Sequence, residues 1–411
     1  MTTRQVSYWL DRFPDSRRPS WPRQRGPLKT SVAIVGGGLT GCASAYTFAT
    51  AGVPVALVEA DRIGQGDGTS GGLGLLRQEL DVDFHQVAST YGLRAARALW
   101  QGARRAALDF AAALRRLGVG AELDIADSIT FSRMREDERR LRRELQARKE
   151  AGVEAAWLSA AAFRRETAID GVGGIKAHGN GQIDPYRACL GFARASAARG
   201  ALIFERSKAL RVRAGRKSVE IRTAGGVITA DTVVLATGYP TDDLRALRRH
   251  VRRRHSYVVL TDSMPAATRR EVGKRAAMLR DTDEPAHALR WMKDDRILFG
   301  GGDQPEVKER ARAKALLQRS NQLMYELSVL YPAISGILPT HAWDGSVVQS
   351  VDGLPYLGPH RNFPRHLFAY GLGRDGLAFA WLAARIFLRF YTNEADKHDH
   401  LFGFGRILGD R

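Results

Sequence analysis

With 411 residues and 44% apolar content, the chain can build a substantial core, most simply as two domains. Its two cysteines, Cys42 and Cys189, lie far apart and exclude a cysteine-rich metal site. The net charge of +19 invites a nucleic-acid reading, but only 10 of the 63 basic residues are lysine. That arginine skew, with alanine-rich helices, fits a GC-biased genome as well as a polyanion partner. The basic runs lack interleaved aromatics, so nucleic acid is disfavoured as a partner.

Residues 1–30, rich in Pro and Arg, read as an irregular polar lead-in without an export-type apolar segment. A cytoplasmic location is therefore expected. The apolar run Val32–Val35 opens a βαβ unit over residues 31–64, whose second strand, 53–59, ends in an acid. Helical periodicity covers 88–117 and 136–149, flanking a short strand at 128–132, and 186–199 reads as another helix. Strands follow at 202–204, 209–212, 219–223, 227–229 and 233–236, with Gly225-Gly226 as a hairpin signal. The basic run from Arg245 to Arg254 has the spacing of a solvated helix face. Strands at 257–261 and 297–300 suggest a second, more antiparallel sheet, and a long helix spans 311–330. The apolar helix near 377–391 is short and interrupted by Arg385 and Arg389, so it is no membrane span.

The strongest motif follows the first strand directly. Gly36, Gly38 and Gly41 occupy the G-x-G-x-x-G positions between strand and helix. They serve a tight turn, close approach of a pyrophosphate, and helix–sheet packing, while the helix N-terminus offers N–H groups to phosphate. Glu59, 18 residues beyond Gly41, ends the second strand, where a carboxylate accepts ribose hydroxyls. This is a dinucleotide site. A second glycine cluster, Gly371-Leu-Gly373-Arg-Asp-Gly376, precedes a helix that leads into a polar tail and not into another strand. One ADP-binding unit plus a distant glycine loop fits FAD better than NAD.

Further pieces appear in a recognisable order: Asp61-Arg-Ile-Gly64, Gly66-Asp-Gly-Thr-Ser-Gly-Gly72, Ile183-Asp-Pro-Tyr-Arg187, Ala230–Tyr239, Arg296–Gly301, Trp343-Asp-Gly345, Val351–Pro359 and the Gly371–Gly376 loop. On these residues the chain resembles, over nearly its whole length, the glycine/D-amino-acid oxidase (DAO) family of FAD-dependent oxidoreductases, which includes glycine, sarcosine and gamma-glutamylputrescine oxidases.

The resemblance implies an α/β fold, α+β in its second domain. A Rossmann-like FAD-binding domain (residues 1–90, 160–238 and 340–411) joins a discontinuous antiparallel-sheet substrate domain (91–159 and 239–339). It implies oxidation of the C–N bond of an amine or amino acid by hydride transfer to the flavin, an imine that water hydrolyses, and reoxidation by oxygen or another acceptor. The cofactor contacts it implies come from Gly36, Gly38, Leu39, Thr40, Gly41, Glu59, Ala60, Arg62, Thr69, Ser70, Gly71, Gly72, Ala209, Thr237, Gly238, Gly371, Gly373, Arg374, Asp375, Gly376 and Leu377. No cysteine follows Cys189, so the FAD is expected to be non-covalent.

For the substrate side, Arg290 precedes the Arg296–Gly301 strand and could grip a carboxylate, and His255, Tyr257 and Arg374 are the other candidates. One departure stands out. Sarcosine-oxidase-like members place an oxygen-activating lysine where this chain has Ile297-Leu298-Phe299, with Lys293 several residues earlier. An FAD dehydrogenase of a 2-hydroxy acid or amine with a non-oxygen acceptor is thus one alternative, and an RNA-modifying relative is another. The specific substrate and the oligomeric state stay open.

Overall fold

The computed structural model describes residues 3–374 and 376–406. Its first sheet is built on five parallel strands in the order Phe363–Tyr370, Val227–Gly238, Leu28–Val35, Val55–Val58, Leu202–Phe204. Val32–Val35 and Val55–Val58 are buried throughout, as expected for strands covered on both faces. Tyr356–His360, Val219–Arg222 and Arg211–Ala214 extend this sheet antiparallel. The expected pair of strands at 227–229 and 233–236 is one continuous strand, because residues 228–235 pair in one register with Leu28–Val35.

Helices Leu39–Thr50, Pro185–Ala197 and Leu377–Thr392 pack together on one face of this sheet. Trp381 sits at their junction, 5.5 Å from the Phe192 ring and 6.2 Å from Tyr46. The helical stretch expected at 88–117 is two helices, Phe84–Tyr91 and Leu93–Arg116, divided by Gly92 at φ +83. Leu99, Trp100, Ala103, Ala107 and Phe110 give the longer one a buried stripe, with arginines outward.

The second sheet has nine strands and is antiparallel except where Met278–Asp281 runs parallel to Asp124–Ser132. Its order is Pro339–Ser350, Val251–Thr261, Ile297–Pro305, Ala288–Trp291, Met278–Asp281, Asp124–Ser132, Gly173–Gln182, Leu75–Leu76, with Ala156–Ser159 also paired to Gly173–Gln182. Gly173–Gln182 carries no sequence signal for a strand, since Gly173, Gly174, Gly179 and Gly181 interrupt it. Helix Glu309–Leu330 covers one face.

The basic run is not a helix face. A 3-10 stretch, Asp242–His250, gives way to the strand Val251–Thr261, so Arg252–Arg254 alternate along a strand. Arg248 pairs with Asp242 (2.7 Å) and Arg253 with Glu306 (3.3 Å). No helix among the described residues is long and apolar enough to cross a membrane.

Candidate active site

The first strand ends at Gly36, whose φ of +108 turns the chain sharply. A Cβ there would lie 2.5 Å from the Ala236 carbonyl oxygen, and one on Gly41 would overlap the Gly36 carbonyl oxygen. Only glycines let the helix Leu39–Thr50 start this close to the sheet. Thr69 Oγ1 accepts the Leu39 N–H at 2.9 Å, tying that helix start to the Gly66–Gly72 loop. Glu59 follows its strand directly. One of its carboxylate oxygens accepts the Gly37 N–H (2.6 Å) and the other the Asp61 N–H (2.9 Å).

A cavity of about 850 Å³ runs across the carboxyl ends of the parallel strands, where open α/β sheets bind their ligands. Arg206, Glu59, Gly36, Thr237 and Gly373, which follow or end five neighbouring strands, all line it. The second sheet closes it with Ser256 and Val258, and Leu73 and Leu75 add apolar wall.

Of the expected cofactor contacts, Gly36, Gly38, Leu39, Thr40, Glu59, Ala60, Arg62, Thr69, Gly71, Gly72, Ala209, Thr237, Gly238, Gly373, Arg374, Gly376 and Leu377 line this cavity. Gly41 lies beneath the glycine turn, Ser70 gives its carbonyl to Ser7 Oγ (2.6 Å), and Gly371 packs on Ser350. Asp375 is outside the described residues.

Three substrate-side expectations need correcting. His255 and Tyr257 face away from the cavity, because alternation along their strand turns Ser256 and Val258 toward it. His255 Nδ1 meets Asp344 Oδ2 at 3.1 Å, and the Tyr257 hydroxyl accepts from Gln304 Nε2 at 2.5 Å. Arg290 is buried outside the cavity lining. It donates to the carbonyls of Leu73 (2.9 Å), Gly74 (3.1 Å) and Ile183 (2.9 Å), and burial lowers its pKa to about 10. Its guanidinium therefore holds backbone together.

Arg374, the fourth candidate, does line the cavity. Nη1 donates to Ser256 Oγ (2.6 Å) and Nη2 pairs with Asp303 Oδ2 (2.5 Å).

Sequence reasoning missed several residues that shape this site. Asp81 accepts the Arg374 N–H at 3.1 Å, leaves no room for a Cβ at Gly373, and is itself tied to Arg280 at 2.9 Å. Trp9, in the supposedly irregular lead-in, is fully buried and donates from Nε1 to the Gly72 carbonyl at 2.8 Å. Trp343, from the Trp343-Asp-Gly345 piece already singled out, does the same through Nε1 for Gly71 at 3.1 Å. The signal for Trp9 was present: a tryptophan beside Tyr8 in a polar segment.

The sequence profile of the DAO family, described as FAD dependent oxidoreductase, matches residues 31–389. The chain belongs to this family, and it is an enzyme that uses FAD. Among relatives, it is 28% identical over 352 residues to the probable oxidoreductase OrdL of Rhizobium meliloti, covering 82% of this chain and 78% of that one. Identity to the gamma-glutamylputrescine oxidoreductase of Escherichia coli is 25% over 383 residues, 90% and 86% of the two chains. The fold matches the crystal structure of glycine oxidase from Geobacillus kaustophilus with a TM-score of 0.75 at 21% identity, covering 92% of this chain and 99% of that one.

The cavity suits FAD on its own geometry. Glycines leave the room that a phosphate needs at a helix start, and an acid closes one end. Glu59→Ala should lower FAD affinity by about tenfold or more, because a hydrogen bond to a charged group is worth roughly 1.5–3 kcal/mol. Titration of apoprotein with FAD, followed by flavin fluorescence, checks this. Wild-type affinity in the variant contradicts the assignment.

Proposed function

We propose that the enzyme oxidises the C–N bond of an amine or amino acid. The observation that carries this reading is Arg374, a part-buried guanidinium facing the cavity beside Gly373 and Gly376. When bound, FAD supplies the acceptor for a hydride leaving the carbon next to nitrogen.

The chain's residues bind and orient. The turn at Gly36 and Gly38 with the helix start at Leu39 and Thr40 takes the pyrophosphate, and Glu59 the ribose. Ala60, Arg62 and Ala209 flank the adenosine end. Thr69, Gly71, Gly72, Thr237, Gly238, Gly373, Gly376 and Leu377 surround the remainder, with Gly41, Ser70 and Gly371 supporting the loops from behind. Arg374 keeps donors beyond the two that Ser256 and Asp303 occupy, enough to hold a carboxylate by two hydrogen bonds. Leu73, Leu75, Val258 and Leu372 keep water from the reacting end. No side chain need act as base if the substrate amine is neutral.

The FAD is held without a covalent bond in this reading: Cys42 and Cys189 are buried against each other, Sγ to Sγ 3.6 Å, outside the cavity lining. The FAD-binding domain comprises residues 1–90, 160–238 and 340–411, and the substrate domain 91–159 and 239–339. The strands of the first sheet, all within 28–58, 202–238 and 356–370, fall in the FAD-binding segments, which also lend Leu75–Leu76, Gly173–Gln182 and most of Pro339–Ser350 to the second sheet.

The electron acceptor is oxygen or a substitute, and a substitute is favoured. Ile297, Leu298 and Phe299 are buried, and the sole lysine among the described lining residues is Lys208, which follows the same edge strand as Arg206 and Ala209. Enzyme reduced anaerobically by its amine should therefore return to the oxidised spectrum slowly in air and quickly with a soluble quinone. Equally fast reoxidation by oxygen contradicts this part of the reading.

A further inference from the structure

A second cavity, of about 420 Å³, opens where strand Ile297–Pro305 outruns its neighbour, whose pairing ends at Gly300. Asp283, Glu284, His287, Asp303, Arg319 and Glu326 line it. Gly302, at φ +61, and Gly301 add no side chain at this edge. Asp303 forms the wall toward the first cavity. Its side chain is 7% exposed and its Oδ2 holds Arg374, while its Oδ1 is buried without a hydrogen-bond partner. One ion pair thus separates the two cavities.

The chemistry of the second cavity runs against that of the chain. In a protein of net charge +19, four carboxylates here face one arginine and one histidine. Burial and the neighbouring Asp281 raise the pKa of Asp283, as crowding of carboxylates does. His287 meets Asp281 Oδ2 through Nδ1 (2.8 Å) and Glu326 Oε2 through Nε2 (3.1 Å). Burial opposes its charge, yet these two contacts prevail and push its pKa up to about 10. Protonated on both nitrogens, His287 has no lone pair for a metal. Arg319 is occupied by Gln304 (3.0 Å) and Gln322 (2.7 Å). An ammonium group, with three donors, meets what is left over: an orphaned Asp303 oxygen and an excess of carboxylates.

We propose that this cavity is the subsite for a second, distal ammonium group on a substrate whose first amine is oxidised in the larger cavity. The proposal rests on the amine reading above, and it makes the preferred substrate a diamine, neutral at the reacting nitrogen and charged at the distal one. Arg374 and Asp303 form the boundary across which such a molecule extends.

Calorimetric titration of the FAD-loaded enzyme with 1,5-diaminopentane and with pentylamine tests it without turnover. The diamine should bind about tenfold tighter or more, since charge-assisted contacts are added at one end only. Glu326→Gln with Asp283→Asn should erase that preference and leave pentylamine binding unchanged. Asp283→Asn alone, at an exposed position, should remove part of it. Equal affinity for the two amines in the unaltered enzyme overturns the proposal, as does a preference that the double variant retains. Diamine preference without flavin bleaching by any amine would defeat the amine-oxidation reading and leave the subsite standing. Amine oxidation without diamine preference would defeat the subsite alone.

Discussion

Gly41→Ala should yield a folded protein that purifies nearly colourless. A Cβ at this position would overlap the Gly36 carbonyl oxygen and come within 3.4 Å of the Ile34 side chain. The oxygen belongs to backbone, and the Gly36 N–H is itself held by the Val58 carbonyl at 2.9 Å, so the turn cannot give way cheaply. The helix Leu39–Thr50 must instead withdraw from the turn, carrying its N–H groups away from the phosphate position. Overpacking of this kind costs about 1–3 kcal/mol, roughly five- to 150-fold in an equilibrium constant. Because the shift falls on the cofactor loop, most of it should appear as lost FAD affinity. The check is the ratio of flavin to protein absorbance after purification, with circular dichroism to establish folding. A yellow, fully loaded variant contradicts the role given to the turn.

Arg374→Lys should lower kcat/KM for an amino-acid substrate by about a hundredfold, if two charge-assisted hydrogen bonds worth roughly 1.5 kcal/mol each are lost. Lysine keeps the positive charge opposite Asp303, so that carboxylate is not stranded, but it lacks the planar fork. The loss should fall mainly on KM for a substrate with a carboxylate and spare an amine without one. Steady-state kinetics on such a pair separates a grip on the carboxylate from general damage to the loop. Equal losses on both substrates contradict the carboxylate role.

The cofactor half of the site is legible in the sequence because its determinants are local. Gly36, Gly38, Gly41 and Glu59 fall within one βαβ unit, where each glycine answers a steric demand of its neighbours. The substrate half is not legible, for two physical reasons. The strand Val251–Thr261 is buried on both faces over residues 255–261, so no alternation of apolar and polar residues marks which side meets the cavity. Nothing local distinguishes His255 and Tyr257 from Ser256 and Val258. Arg290 is buried and Arg374 part-buried, and in sequence nothing but their partners distinguishes them. The carbonyls of Leu73, Gly74 and Ile183 hold one through Nη1, while Asp303 and Ser256 hold the other at the cavity wall. Those partners lie far away in sequence and leave no local trace. Asp81 is hidden in the same way, since it acts on a glycine loop remote from it.

The central claim is tested most directly by anaerobic mixing of the purified yellow enzyme with a panel of amines and amino acids, following loss of the flavin absorbance. At least one of them should bleach the flavin without NADH or NADPH. Across a series of amines of differing pKa, the apparent pKa of reduction should track that of the amine, because only the neutral form has the lone pair that assists hydride departure. Rapid bleaching by NADPH, with every amine and amino acid inert, would contradict the account.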